Sequence, residues 1–113
     1  MTDGIIDLTN FRRATGGDLE LEQELFEEFI QSSQTLIQKL QSHCRGEADG
    51  EAWRSAAHAM KGICLNLGAQ TLADFCRQGQ DGFESDTPYK SDLLDKIKAE
   101  RERVVEYLRS QGA

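Results

Sequence analysis

The fold of this chain is decided by residues 50–68, which read GEAWRSAAHAMKGICLNLG. Apolar positions recur every three or four residues, as on the buried face of an α-helix; they are Trp53, Ala56, Ala57, Met60, Ile63, Cys64 and Leu67. At about 100° per residue, His58 falls on the opposite side, together with Glu51, Arg54, Ser55, Lys61, Gly62 and Leu65. The pattern predicts a helix over residues 50–67 with an outward-facing histidine.

Gly62 is unusual inside such a helix. A glycine there costs roughly 0.5–1 kcal/mol relative to alanine, and the surrounding residues are good or acceptable helix formers. Positions three and four residues after His58 lie beside it on the helix surface, so that Lys61 and Gly62 flank the imidazole. The sequence places a nucleophile, a cation and a position without a side chain on one helix face.

The remaining segments are also predicted to be helical, since the chain has one proline and few β-branched residues. A short lead-in helix is predicted over about residues 5–15, ending before two glycines, where a left-handed conformation costs little. The bundle helices are predicted at about 18–45, 50–67, 69–84 and 88–110. Short connections between them predict an all-α, antiparallel four-helix bundle in one domain spanning residues 1–113.

Local signals mark the ends of these helices. Asp18 and Asp49 are predicted to cap the second and third helices, and Thr87 to cap the last, with Pro88 in its first helical position. Gly79 is expected to loosen the fourth helix late in its course, because glycine is a poor helix former.

The composition of the chain indicates which kinds of partner it binds and in which compartment it is expected. The net charge of −7 argues against sequence-independent binding to nucleic acid or anionic membranes, since both need clustered Lys and Arg. No stretch has the length of a membrane span, and the first residues lack a secretion signal. The three cysteines form no CxxC pair, which favours reduced thiols. We expect a cytoplasmic monomer whose partner is a protein.

The residues around His58 suit phosphoryl transfer. A neutral imidazole is a nucleophile that takes a phosphoryl group on nitrogen, and such transfer needs mainly positioning and charge stabilisation. Lys61, supported by Arg54, can balance the added charge, while Gly62 lets a partner surface approach. Taken singly, each has an ordinary interpretation as a surface histidine, a solvated side chain or a helix irregularity. Their spacing on one face favours the functional interpretation.

A resemblance to a known family rests on the motif His58-x-x-Lys61-Gly62, followed by residues 66–69 (Asn-Leu-Gly-Ala) and Leu72. This motif resembles the signature of histidine-containing phosphotransfer (HPt) domains. The resemblance covers nearly the whole chain, because that family is a four-helix bundle of similar length with an exposed histidine on its second bundle helix. It implies a phosphocarrier in a multistep His-Asp phosphorelay, in which His58 accepts a phosphoryl group from one receiver-domain aspartate and donates it to another.

The resemblance also implies partners. They are response-regulator receiver domains and a hybrid histidine kinase. The sequence has neither a P-loop nor another Gly-rich phosphate cradle, so the chain is not expected to be an enzyme that phosphorylates itself from a nucleotide. No cofactor is expected on the chain, and the magnesium ion of such transfers belongs to the receiver. In yeast and plant members a glutamine hydrogen-bonds near the histidine, and ungapped counting from the motif matches it to Gln80.

One departure from the family follows the motif glycine. The family usually has serine or alanine there, whereas this chain has Ile63, Cys64 and Leu65. The first two project inward, but Leu65 lies seven residues after His58 and nearly in line with it. We expect Leu65 to form a docking surface with Arg54 and Ser55, in the manner of a helix lying in a groove. The alternative is a leucine at the periphery of the core.

Two other interpretations compete with the relay. His43 with Cys44, or His58 with Cys64, suggests a metal site, but the spacings match no zinc pattern and Cys64 projects inward. His43 is interpreted instead as a surface residue near a helix C-terminus. The second alternative is an adaptor bundle that binds a receiver or a histidine kinase without carrying phosphate.

Overall fold

The computed structural model describes residues 6–112, and five helices account for most of them. In chain order they are α1 (Thr9–Thr15), α2 (Leu19–Cys44), α3 (Gly50–Leu67), α4 (Gln70–Asp81) and α5 (Thr87–Ser110). Helices α2 and α4 each pack against both α3 and α5, which closes a bundle, and α1 lies against α2 and α3. No strand occurs in residues 6–112. The predicted all-α bundle with a short lead-in helix is confirmed.

Two of the three predicted capping residues are confirmed. Asp18 and Asp49 each accept a backbone N–H from three residues ahead, at 3.1 Å and 2.8 Å. The prediction for Thr87 is wrong, because Asp86 caps α5 by accepting the N–H of Tyr89 at 3.1 Å. An aspartate is a better cap than a threonine, so the helix begins one residue earlier than predicted and its proline takes the second position.

The lead-in helix begins at Thr9, later than predicted, and the predicted start at residue 5 lies outside the described residues. Asp7 is held outside the helix, because its N–H donates to the carbonyl of Gly68 at 2.9 Å and its carboxylate accepts the N–H of Thr9 at 3.0 Å. Hydrogen bonds from Thr9 lower the pKa of the Asp7 carboxyl. Gly68 ends α3 with φ of 96°, and a side chain there would collide with the Asp7 backbone.

Helix α4 ends at Asp81, earlier than the predicted boundary near residue 84. The N–H of Gly82 donates the last helical bond, to the carbonyl of Gln78 at 2.9 Å, and the N–H of Ser85 then closes a turn on the carbonyl of Gly82 at 2.9 Å. Before this turn the helix runs unbroken through Gly79, which is buried. The helix thus continues for two residues beyond Gly79, and the expected weakening there stays a prediction.

The core extends along the bundle, and its largest fully buried side chains are Trp53, Phe26, Leu40, Met60, Leu72, Ile97 and Leu108. A buried arginine ties α5 to α2: Nε of Arg101 donates to the hydroxyl of Ser33 at 2.7 Å, and Nη2 donates to the carbonyl of Ile30 at 2.8 Å. Burial lowers the pKa of Arg101. None of the helices in residues 6–112 is both long enough and apolar enough to cross a bilayer.

Candidate functional site

Helix α3 presents two different faces. Trp53, Ala57 and Met60 are fully buried, whereas His58 is exposed. The Asp49 cap and the glycine that ends the helix fix where it starts and stops, and the apolar period then determines which side enters the core. The histidine accordingly faces outward, as the helical projection predicts.

The ring of His58 has a hydrogen-bond partner on α4. Its Nδ1 lies 3.2 Å from Oε1 of Gln80, a half-buried residue 22 positions further along the chain. An amide oxygen only accepts, so this contact fits an Nδ1–H that donates to Gln80; in the neutral ring, that tautomer leaves the lone pair on Nε2. The structure thus brings together the two residues that counting along the family pattern had paired.

Gly62 stands exposed on α3, one turn after the histidine. A Cβ built on it would meet no atom within 4 Å. Its φ is not positive, so an alanine could adopt the same backbone conformation. Packing within residues 6–112 gives no reason for a glycine at this position.

Lys61 and Leu65 lie on the side of α3 that faces α4. They line a shallow cleft of about 260 Å³ whose opposite wall includes Gln70, Asp74 and Arg77. Leu65 is 49% exposed, so its interpretation as a solvent-facing residue is confirmed and its interpretation as a core leucine is wrong. Lys61 takes part in none of the ion pairs among residues 6–112.

Arg54 and Ser55 are exposed on the turn before His58. The guanidinium of Arg54 lies 3.3 Å from the Glu51 carboxylate and 5.3 Å from the centroid of the Phe83 ring. Arg54 therefore already has an anionic partner. To help Lys61 balance the charge of a phosphoryl group, its guanidinium would have to share or leave the Glu51 carboxylate.

An apolar groove that the sequence did not indicate lies between α1, α2 and α3. Its volume is about 390 Å³, and its walls include Phe11, Leu21, Leu25, Phe29, Ile63 and Asn66. Ile63 is therefore only half buried, whereas Cys64 is fully buried as predicted. The walls come from three separate segments, so no local pattern marks the groove; the signal available was the pair of leucines at the start of α2, Leu19 and Leu21, which are exposed.

His43 lies in the last turn of α2, as predicted, but it is half buried and not simply a surface residue. Its half-buried ring places Nδ1 at 2.9 Å from the carbonyl oxygens of both Ala48 and Asp49, and Nε2 at 3.0 Å from Nζ of Lys90. These contacts draw it under the loop that follows α2. Residues 6–112 contain no group of three or more His, Cys, Asp or Glu side chains that could hold a metal ion.

Cys64 lies on the core side of the histidine helix. Its thiol and that of Cys76 on α4 are both fully buried and free. A hydrogen bond with Cys76, together with burial, raises the pKa of Cys64. Because the thiolate is the reactive form, we expect this thiol to be a poor nucleophile at neutral pH.

An exposed histidine on the second long helix of a four-helix bundle, with a glutamine of the next helix at its ring, is the arrangement of the family that the sequence resembles. A family model described as Hpt domain matches residues 24–107, and the chain belongs to that family. Hpt domains take part in histidine phosphotransfer in two-component phosphorelays, where they interact with receiver domains and kinases. No match is found among curated proteins or among solved structures.

Proposed function

We propose that this chain is a phosphocarrier in a multistep His-Asp phosphorelay. Nε2 of His58 attacks the phosphorus of an aspartyl phosphate on one receiver domain. The N–P bond forms, the bond from phosphorus to the aspartate oxygen breaks, and its electron pair leaves with the carboxylate. The reverse step on a second receiver returns the lone pair to Nε2. The observation that carries this proposal is the Nδ1 contact with Gln80 at 3.2 Å on an exposed ring, because it favours the neutral tautomer whose Nε2 has a lone pair for the attack.

Each neighbour of His58 has a task in this scheme. As Nε2 takes the phosphoryl group, the ring becomes positive, and the Nδ1–H bond to Gln80 strengthens because its donor is now charged. Lys61, which has no ion-pair partner within residues 6–112, balances the phosphoryl oxygens. Gly62 leaves open the space through which the receiver approaches.

The docking surface of the receiver is proposed to be the exposed face of α3. On one side it adjoins the cleft with Leu65, and on the other the apolar groove that includes Ile63 and Asn66. Arg54 and Ser55 complete the surface one turn before the histidine. Such contacts are modest in area and transient, which a relay needs in order to release each partner.

The remaining components of the reaction belong to the partners. A hybrid histidine kinase supplies the phosphoryl group through its receiver, and the receiver binds the magnesium ion. We propose that the chain itself acts as a monomer in the cytoplasm, binds no cofactor and does not use a nucleotide. Its chemistry is confined to one ring nitrogen and the groups that position and neutralise what that nitrogen carries.

The test uses a panel of receivers carrying labelled aspartyl phosphate. Wild type is expected to acquire an acid-labile label, and His58→Gln to acquire none. His43→Gln is the matched control, because His43 is the other histidine of the chain and its half-buried ring is occupied by contacts with Lys90 and two backbone carbonyls. It should still acquire the acid-labile label, because it keeps His58. Absence of label on wild type, when a control carrier is labelled by the same receivers, contradicts the proposal. Full signalling output from His58→Gln would support the adaptor alternative instead.

A further inference from the structure

Gly79, the residue before Gln80, faces both Trp53 and Ala57, the residue before His58. Gly79 on α4 is buried, and a Cβ built on it would lie 3.4 Å from Cζ2 of Trp53 and 3.7 Å from Cβ of Ala57. Trp53 itself is fully buried on α3. The two helices therefore approach each other closely one position before the histidine on α3 and one position before the glutamine on α4.

A hydrogen bond joins the helices at this point. Gly79 lies in the last turn of α4, where backbone carbonyls lack partners within the helix. Its carbonyl accepts the indole N–H of Trp53 at 2.8 Å. Because both groups are buried, no water replaces either partner at low cost. The indole of α3 thus secures the last turn of α4, which is the turn that carries Gln80.

The indole is held in turn by two other helices. Nζ of Lys90 on α5 lies 5.5 Å from the centroid of the Trp53 ring, and the ring of His43 on α2 has its centroid 5.5 Å away at an interplanar angle of 49°. Lys90 is itself buried and donates to Nε2 of His43 at 3.0 Å. The tryptophan is therefore a rigid support between the far side of the bundle and the end of α4.

We propose that Trp53 is a positioning residue for phosphoryl transfer. Through the Gly79 carbonyl it fixes the last turn of α4, and through Gln80 it keeps the proton of His58 on Nδ1 and the lone pair on Nε2. The effect on transfer rests on the proposed function. The position of the ring proton does not, because it is a property of the chain before any phosphoryl group arrives.

The test replaces Trp53 by phenylalanine, which keeps an aromatic ring and removes the N–H. Nitrogen NMR of the unphosphorylated protein is expected to show His58 as the Nδ1–H tautomer in wild type and as a mixture in Trp53→Phe. Transfer from a phosphorylated receiver should slow by about three- to tenfold, the usual effect of one hydrogen bond. Val104→Ala is the matched control, because it removes buried volume from α5; it should lower the melting temperature without changing tautomer or rate.

A double-mutant comparison separates positioning from a general loss of stability. If Trp53 acts through Gln80, then Trp53→Phe should have little effect once Gln80 is already alanine. In the Gln80→Ala background, Trp53→Phe should therefore change the tautomer and the transfer rate no more than Val104→Ala does. Equal losses in both backgrounds, or a wild-type tautomer in Trp53→Phe, would overturn the inference. Should Trp53→Phe fail to fold, Gly79→Val tests the same contact, since its γ carbons extend beyond a Cβ already 3.4 Å from the indole. A wild type that no receiver phosphorylates contradicts the proposed function alone, because the tautomer still reports on Trp53.

Discussion

Gly62 and Gly79 stand on neighbouring helices beside the same histidine and glutamine, and they lack a side chain for different reasons. A Cβ on Gly79 would lie 3.4 Å from Trp53 and 3.5 Å from Leu93, so packing surrounds it closely. A Cβ on Gly62 would meet nothing within 4 Å. Helix propensity favours alanine over glycine in both helices by roughly 0.5–1 kcal/mol.

The difference separates a glycine that is closely packed within the fold from one that packing does not require. Gly79 lets α3 and α4 approach each other where the indole of Trp53 meets the end of α4. Gly62 contributes nothing to packing within residues 6–112, and its place in the proposed function is to leave open the surface beside His58. Gly79 lies at the contact between α3 and α4, and Gly62 leaves the surface beside His58 open.

The largest effect is expected from filling the open space. Gly62→Gln should slow transfer from a phosphorylated receiver by about 100-fold, because the added side chain keeps the aspartate from reaching His58 in line. Circular dichroism should show an unchanged fold. Ala99→Gln adds the same side chain at an exposed position of α5 and should transfer like wild type. Normal transfer in Gly62→Gln would show that the receiver does not need the open space at Gly62.

A smaller effect is expected from removing the cation beside that space. Lys61→Ala should slow transfer or shorten the lifetime of the phosphohistidine by about fivefold, as expected for a partly exposed charge pair. The melting temperature should hardly change. Lys96→Ala, which removes an exposed lysine from α5, is the matched control. If Lys61→Ala and Lys96→Ala have the same rates and lifetimes, the charge of Lys61 has no part in the reaction.

The smallest effect is expected in stability, and it compares the two glycines directly. Gly62→Ala should raise the free energy of unfolding by about 0.5–1 kcal/mol, because the methyl group meets no neighbour. Gly79→Ala should gain less, since its methyl group has to fit against the indole. Urea unfolding of the two variants checks this order. A larger increase in the free energy of unfolding for Gly79→Ala than for Gly62→Ala would contradict the described difference in packing around the two glycines.

Local features of the sequence predicted much of the fold. The bounds of α3 follow from the Asp49 cap, the apolar period and the glycine at its end, all of which act within one segment. The start of α1 could not be predicted in this way. It depends on a hydrogen bond from Asp7 to the carbonyl of Gly68, two residues that come together only in the folded chain.

The candidate site also contains features that one segment determines and features that depend on contacts between distant residues. The outward orientation of His58 and the exposure of Leu65 follow from helical projection alone, whereas the pairing with Gln80 required the family pattern. The contact between Trp53 and Gly79 spans 26 positions and has no local signature. Its only trace in the sequence is a glycine inside an apolar-periodic helix, which helix propensity alone interprets as a weak point.

The central claim is that His58 receives a phosphoryl group and passes it on, and transfer through the protein tests it most directly. Wild type is loaded with label from one phosphorylated receiver, separated from it, and mixed with a second, unlabelled receiver and magnesium. The account predicts that label leaves His58 and appears on the aspartate of the second receiver faster than it is lost in buffer. Label that is lost from His58 only by hydrolysis, with every receiver in the panel left unlabelled, would contradict it.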